Sequence, residues 1–191
     1  VYNALCTLTI CCGLDLPLDN VAEAIESMSG LPGRFERVDK GQPFQVVVDY
    51  AHTENALRNV LHAARQSAQG RLIVVFGCGG DRDKAKRPKM GAAAAESADL
   101  AIITSDNPRT EDPNRILLAI EEGMRQAGKQ AGVDYWMIGD RSEAIATGIR
   151  MAKPGDMVLI AGKGHETYQI IGTERIPFDD REVARAILGG L

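Results

Sequence analysis

The stretch Arg71-Leu72-Ile73-Val74-Val75-Phe76-Gly77-Cys78-Gly79-Gly80-Asp81-Arg82-Asp83-Lys84 decides the fold. Arg71–Phe76 is a short apolar run rich in β-branched residues, as expected for a strand covered on both faces. It then breaks abruptly into glycines and charges. A strand that ends this way belongs to a sheet whose carboxyl edge faces solvent and ligand.

Outward from that stretch the same pattern recurs at Phe44–Asp49, Leu100–Thr104, Asp134–Ile138 and Met157–Ala161. Helical stripes lie between these strands. Ala56, Leu57, Val60, Leu61 and Ala64 form one; Ile116, Leu117, Ile120 and Met124 form another, with Asp112 as N-cap and Pro113 at the first helical position. Asp140 with Glu143 caps a third helix. Asp179 with Glu182 caps the last, which ends at Gly189-Gly190. Strands alternating with helices predict a doubly wound, mostly parallel α/β sheet of Rossmann-like type. Gln169–Ile171 and Arg175–Ile176, around Gly172-Thr173, predict a short hairpin at one edge.

The N-terminal part reads differently. Tyr2 to Leu14 is apolar and helical, Pro17 breaks it, and Asn20 with Glu23 makes a capping box for a second helix with Val21, Ala24, Ile25 and Met28 on one face. Ser29-Gly30-Leu31-Pro32-Gly33 reads as a linker. The expectation is a helical remnant over residues 1–32 and a complete domain over 33–191. The chain starts with Val1 rather than Met, which suggests a fragment.

Composition sets the outer limits. The chain has 191 residues, 45% of them apolar and 25% charged, which is globular composition and excludes disorder or coiled coil. Its 22 basic and 26 acidic residues give a net charge of −4, without the basic footprint of a nucleic-acid binder. No apolar run approaches the roughly 18 residues of a membrane span, and no signal peptide is visible. Cys6, Cys11, Cys12 and Cys78 form no C-x-x-C pair, and only three histidines accompany them, which argues against a zinc site. Cys6, Cys11 and Cys12 lie in the apolar helix and are expected in a core. Free thiols suit a reducing cytoplasm.

Five polar clusters follow the five strands: Asp49-Tyr50-Ala51-His52-Thr53, Gly77 to Lys84, Ser105-Asp106-Asn107-Pro108-Arg109, Gly139-Asp140-Arg141, and Gly162-Lys163-Gly164-His165-Glu166. Together they imply a charged, polar ligand. Singly, several have plainer readings. Gly77–Gly80 is equally a turn, and it lacks G-x-G-x-x-G spacing. Asp106-Asn107-Pro108 reads as an Asx turn entering a helix. His52 can simply start a helix, and most of Arg82, Lys84, Lys86, Arg87 and Lys89 read as a solvated face. The Gly162–Glu166 cluster is a poor choice for a purely structural turn. No phosphate loop of the form G-x-x-x-x-G-K-[ST] is present.

These clusters, in this order, resemble the Mur ligase family of peptidoglycan synthesis, in particular its branch that adds meso-diaminopimelate. The resembling segments are Gly33-Arg34-Phe35-Glu36, Val48 to Thr53, Val75 to Gly91, Asp106 to Arg109, Ala161 to Glu166 and Phe178 to Glu182. The resemblance implies the end of a central ATPase domain followed by a C-terminal Rossmann-like domain. The first domain, most of the central one, the phosphate loop and a magnesium-binding carbamylated lysine would lie upstream. It implies ATP-dependent amide formation in the bacterial cytoplasm. There the D-glutamate carboxylate of UDP-MurNAc-L-Ala-D-Glu becomes an acyl phosphate, and an amine of meso-diaminopimelate displaces phosphate.

By the same resemblance, Arg82 and Arg109 would each bind one carboxylate of meso-diaminopimelate. Asp106, Asn107, Pro108 and Arg109 form the selectivity motif, and Asp106, Glu166 and the carbonyl of Gly162 suit the ammonium group. On the ATP side, Asn3 would lie near adenine, Arg34 near phosphates, Asp49 at ribose and His52 near the nucleotide or reacting phosphate. Lys163 and His165 would only shape their loop. ATP and Mg2+ are the implied cofactors, with no metal ligand in this chain. The alternatives are a related Mur or folylpolyglutamate-type ligase adding lysine or glutamate, and a non-catalytic Rossmann-like binding module.

Overall fold

The computed structural model describes residues 2–28 and 30–190. Val1, Ser29 (the first residue of the expected linker) and Leu191 lie outside the described residues. The chain divides into two compact units, Val1–Leu31 and Pro32–Leu191.

The first unit is a helical hairpin, α1 (Tyr2–Gly13) and α2 (Leu18–Ser27). It contains no buried residue among those whose burial is described. Cys6 and Cys12 are exposed and Cys11 half-buried, which corrects their expected place in a core. Two helices have too little surface between them to enclose an apolar side chain. The expected Asn20–Glu23 capping box is also absent. Pro17 is the N-cap of α2, without a side-chain cap, so Asn20 already lies within the helix. Proline at φ −61° presets the entry, and Asp19 in the first turn suits the helix dipole.

The second unit holds a six-stranded sheet of β1 (Glu36–Arg37), β2 (Gln45–Asp49), β3 (Leu72–Cys78), β4 (Leu100–Ser105), β5 (Tyr135–Met137) and β6 (Met157–Ala161). The order is β1-β2-β6-β3-β4-β5. Only β1 runs antiparallel, paired to β2. This two-residue strand is too short to show in the apolar pattern. The helices are α3 (Glu54–Ser67), α4 (Lys86–Ser97), α5 (Pro113–Gln126), α6 (Arg141–Met151) and α7 (Asp180–Leu188).

From β2 to β3, β4 and β5 the chain steps in one direction, and the crossover to β6 comes back. Right-handed crossovers therefore place α3–α5 on one face and α6 on the other. The two faces have separate cores. One is built on Leu57, Leu61, Phe76, Met90, Ile103 and Ile120. The other is built on Val46, Val75, Ile102, Ile145, Ile160 and Leu188. β3 and β6 are buried along their whole length, as their unbroken apolar runs require.

Side-chain caps appear at Asp112, Asp140 and Asp179, which accept the amides of Asn114, Glu143 and Arg181. The hairpin, β7 (Tyr168–Ile171) with β8 (Glu174–Pro177), forms a sheet of its own rather than an edge of the large one. It docks on the loop after β4 through an isolated bridge between Arg109 and Ile171. Among the described residues no helix is long and apolar enough to cross a membrane.

Candidate functional site

Parallel pairing brings the carboxyl ends of the strands together in register. Asp49 lies opposite Ala161, and Cys78 opposite Ser105. The loops that follow surround a cavity of about 460 Å³ lined by Tyr50, His52, Thr53, Gly79, Arg82, Asp83, Lys86, Asp106, Asn107, Arg109, Gly162 and Glu166. Four of the five polar clusters thus meet. The fifth does not reach the cavity: Asp140 caps α6, and Arg141 turns inward. Tyr50, Thr53, Gly79, Asp83 and Lys86 line the cavity although sequence reasoning gave them no role. All sit within the clusters that end β2 and β3 or just beyond, and position after a strand was the available signal.

The wall after β4 and β6 is built around a buried cation. Lys163 is fully buried and donates to Asn107 Oδ1 and Glu166 Oε2, both at 3.1 Å. Its Nζ lies 3.8 Å from Asp106 Oδ1. Asn107 in turn donates to Glu166 Oε2 (3.1 Å) and accepts the Ile170 amide of the hairpin. Gln169 donates to the Asp106 carbonyl at 2.7 Å. Lys163 therefore does shape its loop, and it also ties Asn107 and Glu166 into one unit. Gly162 has φ +123°, and a Cβ there would stand 3.0 Å from Asp106 Oδ2, so the backbone approaches the carboxylate because no side chain intervenes.

Behind this wall lies an ion pair with no exposed side-chain surface. Arg141 Nε and Nη2 donate to the two oxygens of Asp180, each at 2.8 Å. The same guanidinium donates to Ser105 O and Ala161 O, the last residues of β4 and β6. It thus fixes both strands immediately before Asp106 and Gly162. Burial pushes the Asp106 carboxyl above its ordinary value, while the charges of Arg141 and Lys163 pull it back.

Two residues beyond Asn107 on the same loop, Arg109 has φ +53° and is held by the hairpin, its amide donating to Ile170 O and its carbonyl accepting Gly172 N. Its Nη1 donates to Gly80 O at 2.9 Å. A Cβ on Gly80 would come within 1.9 Å of Pro108 O, so that close approach requires glycine. Pro108 is buried and does not line the cavity. Arg82 is exposed and donates only to the carbonyl of its neighbour Asp81 among the hydrogen bonds described. Arg87, expected on a solvated face, is instead buried and paired with Glu111 at 2.9 Å, because the first turn of α4 rotates it under the loop.

The residues expected on the nucleotide side are less concentrated. His52 lines the cavity, its Nδ1 2.9 Å from Tyr50 O. Tyr50 stands in edge contact with His52 and tilted against His165, and the exposed guanidinium of Arg34 lies 4.8 Å from its ring centroid. Asp49 does not line the cavity; its two oxygens accept Phe35 N and Ala51 N, each at 2.8 Å. Asn3 belongs to the helical unit. Among the described residues no group of three or more His, Cys, Asp or Glu could hold a metal ion.

The fold and site define an open α/β domain that presents paired guanidinium and carboxylate groups at the carboxyl edge of its sheet. The chain belongs to the Mur ligase family, whose "Mur ligase, glutamate ligase domain" matches residues 33–164. It is similar to a UDP-N-acetylmuramoyl-L-alanyl-D-glutamate–2,6-diaminopimelate ligase of Trichormus variabilis, with 59% identity over 92% of this chain and 34% of the relative. The chain thus spans about a third of the length of that curated relative. A solved structure of a ligase of the same name matches with TM-score 0.77 and 40% identity, covering 96% of this chain and 37% of that one. A bifunctional folylpolyglutamate synthase/dihydrofolate synthase from Yersinia pestis, solved with AMPPNP and a manganese ion, matches with TM-score 0.58. Its 23% identity over 79% of this chain and 33% of that one speaks for the fold alone.

Proposed function

We propose that the chain is the amino-acid-binding part of an ATP-dependent ligase that joins meso-diaminopimelate to UDP-MurNAc-L-Ala-D-Glu in peptidoglycan synthesis, in a bacterial cytoplasm. The observation that carries this reading is the charge layout of the cavity. Asp106 and Glu166 face one buried cation, Lys163, and the Arg141–Asp180 pair is neutral in sum. One negative charge is left over on this wall, enough for one ammonium group. The guanidiniums of Arg109 and Arg82 supply the partners for two carboxylates, and arginine's fork suits them geometrically. Diaminopimelate carries an amino-acid head at each end, whereas lysine lacks the second carboxylate. The names of the relatives agree with this choice.

In the reaction, Asp106, Glu166 and the carbonyl of Gly162 hold the head of the amino acid whose other amine reacts. Holding the nucleophile in one orientation replaces a bimolecular encounter by an intramolecular one. That amine displaces phosphate from the acyl phosphate and forms the amide.

On the nucleotide side, Arg34 stacked beside Tyr50, with His52 and His165 close by, fits a phosphate group. Asp49 keeps a second lone pair on each oxygen for a ribose hydroxyl, and in this fold its amide contacts also set the turn that carries Arg34. ATP would supply the phosphoryl group that activates the carboxylate. The described residues do not fit a magnesium site of their own.

Calorimetric titration of the 191-residue chain tests the reading. Meso-diaminopimelate should bind more tightly than L-lysine or D-glutamate. Equal binding of lysine would overturn the assigned substrate and favour a lysine-adding ligase. The chain by itself, which carries no phosphate loop, should neither hydrolyse ATP nor form the amide, and turnover by pure protein would contradict this.

A further inference from the structure

Arg82 and Arg109 sit on two different loops, and the sheet stops before either of them. The last paired residues are Cys78 and Ser105. Beyond these, Gly80 N donates to Asn107 O and Gly80 O accepts Arg109 Nη1, both at 2.9 Å, and a further set of contacts centres on Glu111. Its Oε1 accepts the Asp81 amide at 2.6 Å. Both of its oxygens accept Arg87, from Nη1 at 3.0 Å and Nη2 at 2.9 Å. Arg87 Nη2 also reaches Gly79 O at 3.3 Å. Asp81 closes the circuit by accepting Thr110 N and Thr110 Oγ1.

None of Asp81, Arg87, Thr110 and Glu111 lines the cavity. Neither does the fold require a charge at Arg87: α4 packs on the sheet through Met90, Ala93 and Ala94. A buried guanidinium is costly compared with an apolar side chain of similar volume. Two residues of this circuit's loops, Asp81 and Arg109, also hold φ of +53°, a region that non-glycine residues rarely adopt. Both costs are intelligible if the circuit holds something in place. The grip is strong: Arg87 and the Asp81 amide hold the Glu111 carboxyl down to about 2.

We propose that Glu111, gripped by Arg87, is a positioning residue that fixes the loop of Arg82 against the loop of Arg109, and so selects a ligand with two carboxylates over a ligand with one. The inference rests on the reading of the cavity as an amino-acid site. It adds a specificity device that touches no substrate.

The test uses the 191-residue chain and its Glu111→Gln variant, which keeps the shape and removes the charge. Without any ligand, the amides of Gly80 and Asp81 should exchange about tenfold faster in the variant, while core amides of β3 and β6 keep their protection. In titrations, the ratio of meso-diaminopimelate to L-lysine affinity should fall about threefold, with lysine binding itself unchanged. Arg87→Met should lose the same selectivity, and the double variant should be no worse than either single one. Unchanged Gly80 and Asp81 exchange overturns the positioning role whatever the ligands do. Faster exchange with an unchanged affinity ratio, or an equal loss for both ligands, overturns the selection. If the unmodified chain binds neither amino acid, the reading of the cavity fails, and the exchange comparison still decides whether Glu111 holds the loops.

Discussion

The wall of the cavity after β4 and β6 and its rim after β3 use similar residue types under different conditions. In the wall, Asp106, Asn107 and Lys163 are buried, and the Arg141–Asp180 pair behind them has no exposed surface. On the rim, Arg82, Asp83 and Lys84 are exposed. A charge in the wall is fixed before any ligand arrives, so little reorganisation remains at binding. A charge on the rim is mobile and screened, and must be ordered by the ligand. Arg109 stands between these regimes. It is half-buried, its backbone is held by the hairpin and its side chain by Gly80 O.

The sharpest way to break the contrast is Asp180→Ala. It leaves the Arg141 guanidinium buried without its partner, so unfolding free energy should fall by about 3–5 kcal/mol in denaturant titration. Arg141→Met together with Asp180→Leu should recover most of that loss; if it does not, shape rather than charge was at stake. Next in size is Arg109→Ala, which should weaken meso-diaminopimelate binding by about 2 kcal/mol or more, some thirtyfold, by calorimetry.

Asp106→Asn turns function against stability. Burial raises the folded-state value of Asp106, so folding is less favourable at neutral pH than below the ordinary carboxyl value. The penalty is absent below the ordinary value of 3.8, grows as pH rises above it, and levels off once the folded value is passed. The variant should therefore melt higher at neutral pH, by about 1 kcal/mol, equal the parent below that value, and lose its ammonium partner. A variant that melts lower at neutral pH would contradict this. Arg82→Ala, on the rim, should cost about 1 kcal/mol of binding at low salt and less at high salt. A loss as large as that of Arg109→Ala would erase the contrast. Smallest of all, Arg150→Ala should change stability by less than about 0.5 kcal/mol, because its pair with Glu143 is solvent-exposed.

Much of the fold was legible beforehand. Met157–Ala161 is the strand read from the sequence, and the other four parallel strands differ only at their ends. The caps at Asp112, Asp140 and Asp179 were visible because a cap involves residues two or three apart. The Asn20–Glu23 capping box does not form, because Pro17 starts the helix without a side-chain cap. In the cavity, Arg82, Asp106, Asn107, Arg109, Gly162, Glu166 and His52 come together, while Pro108 lies behind and Asp49 binds loop amides. The cluster after β5 looked like the other four, yet Arg141 serves the interior.

By itself, the sequence determined the alternation of strands and helices, and the ordered set of polar turns that marks the Mur ligase family. Those features rest on apolar periodicity and short-range hydrogen bonding, which neighbouring residues decide. Only the tertiary structure decided which charges are buried and with what partner. Arg87 meets Glu111 24 residues away, Arg141 meets Asp180 39 away, and Lys163 meets Asn107 56 away. A buried charge is tolerable only where distant chain segments bring it a partner, and no local pattern of residues records which segment that is.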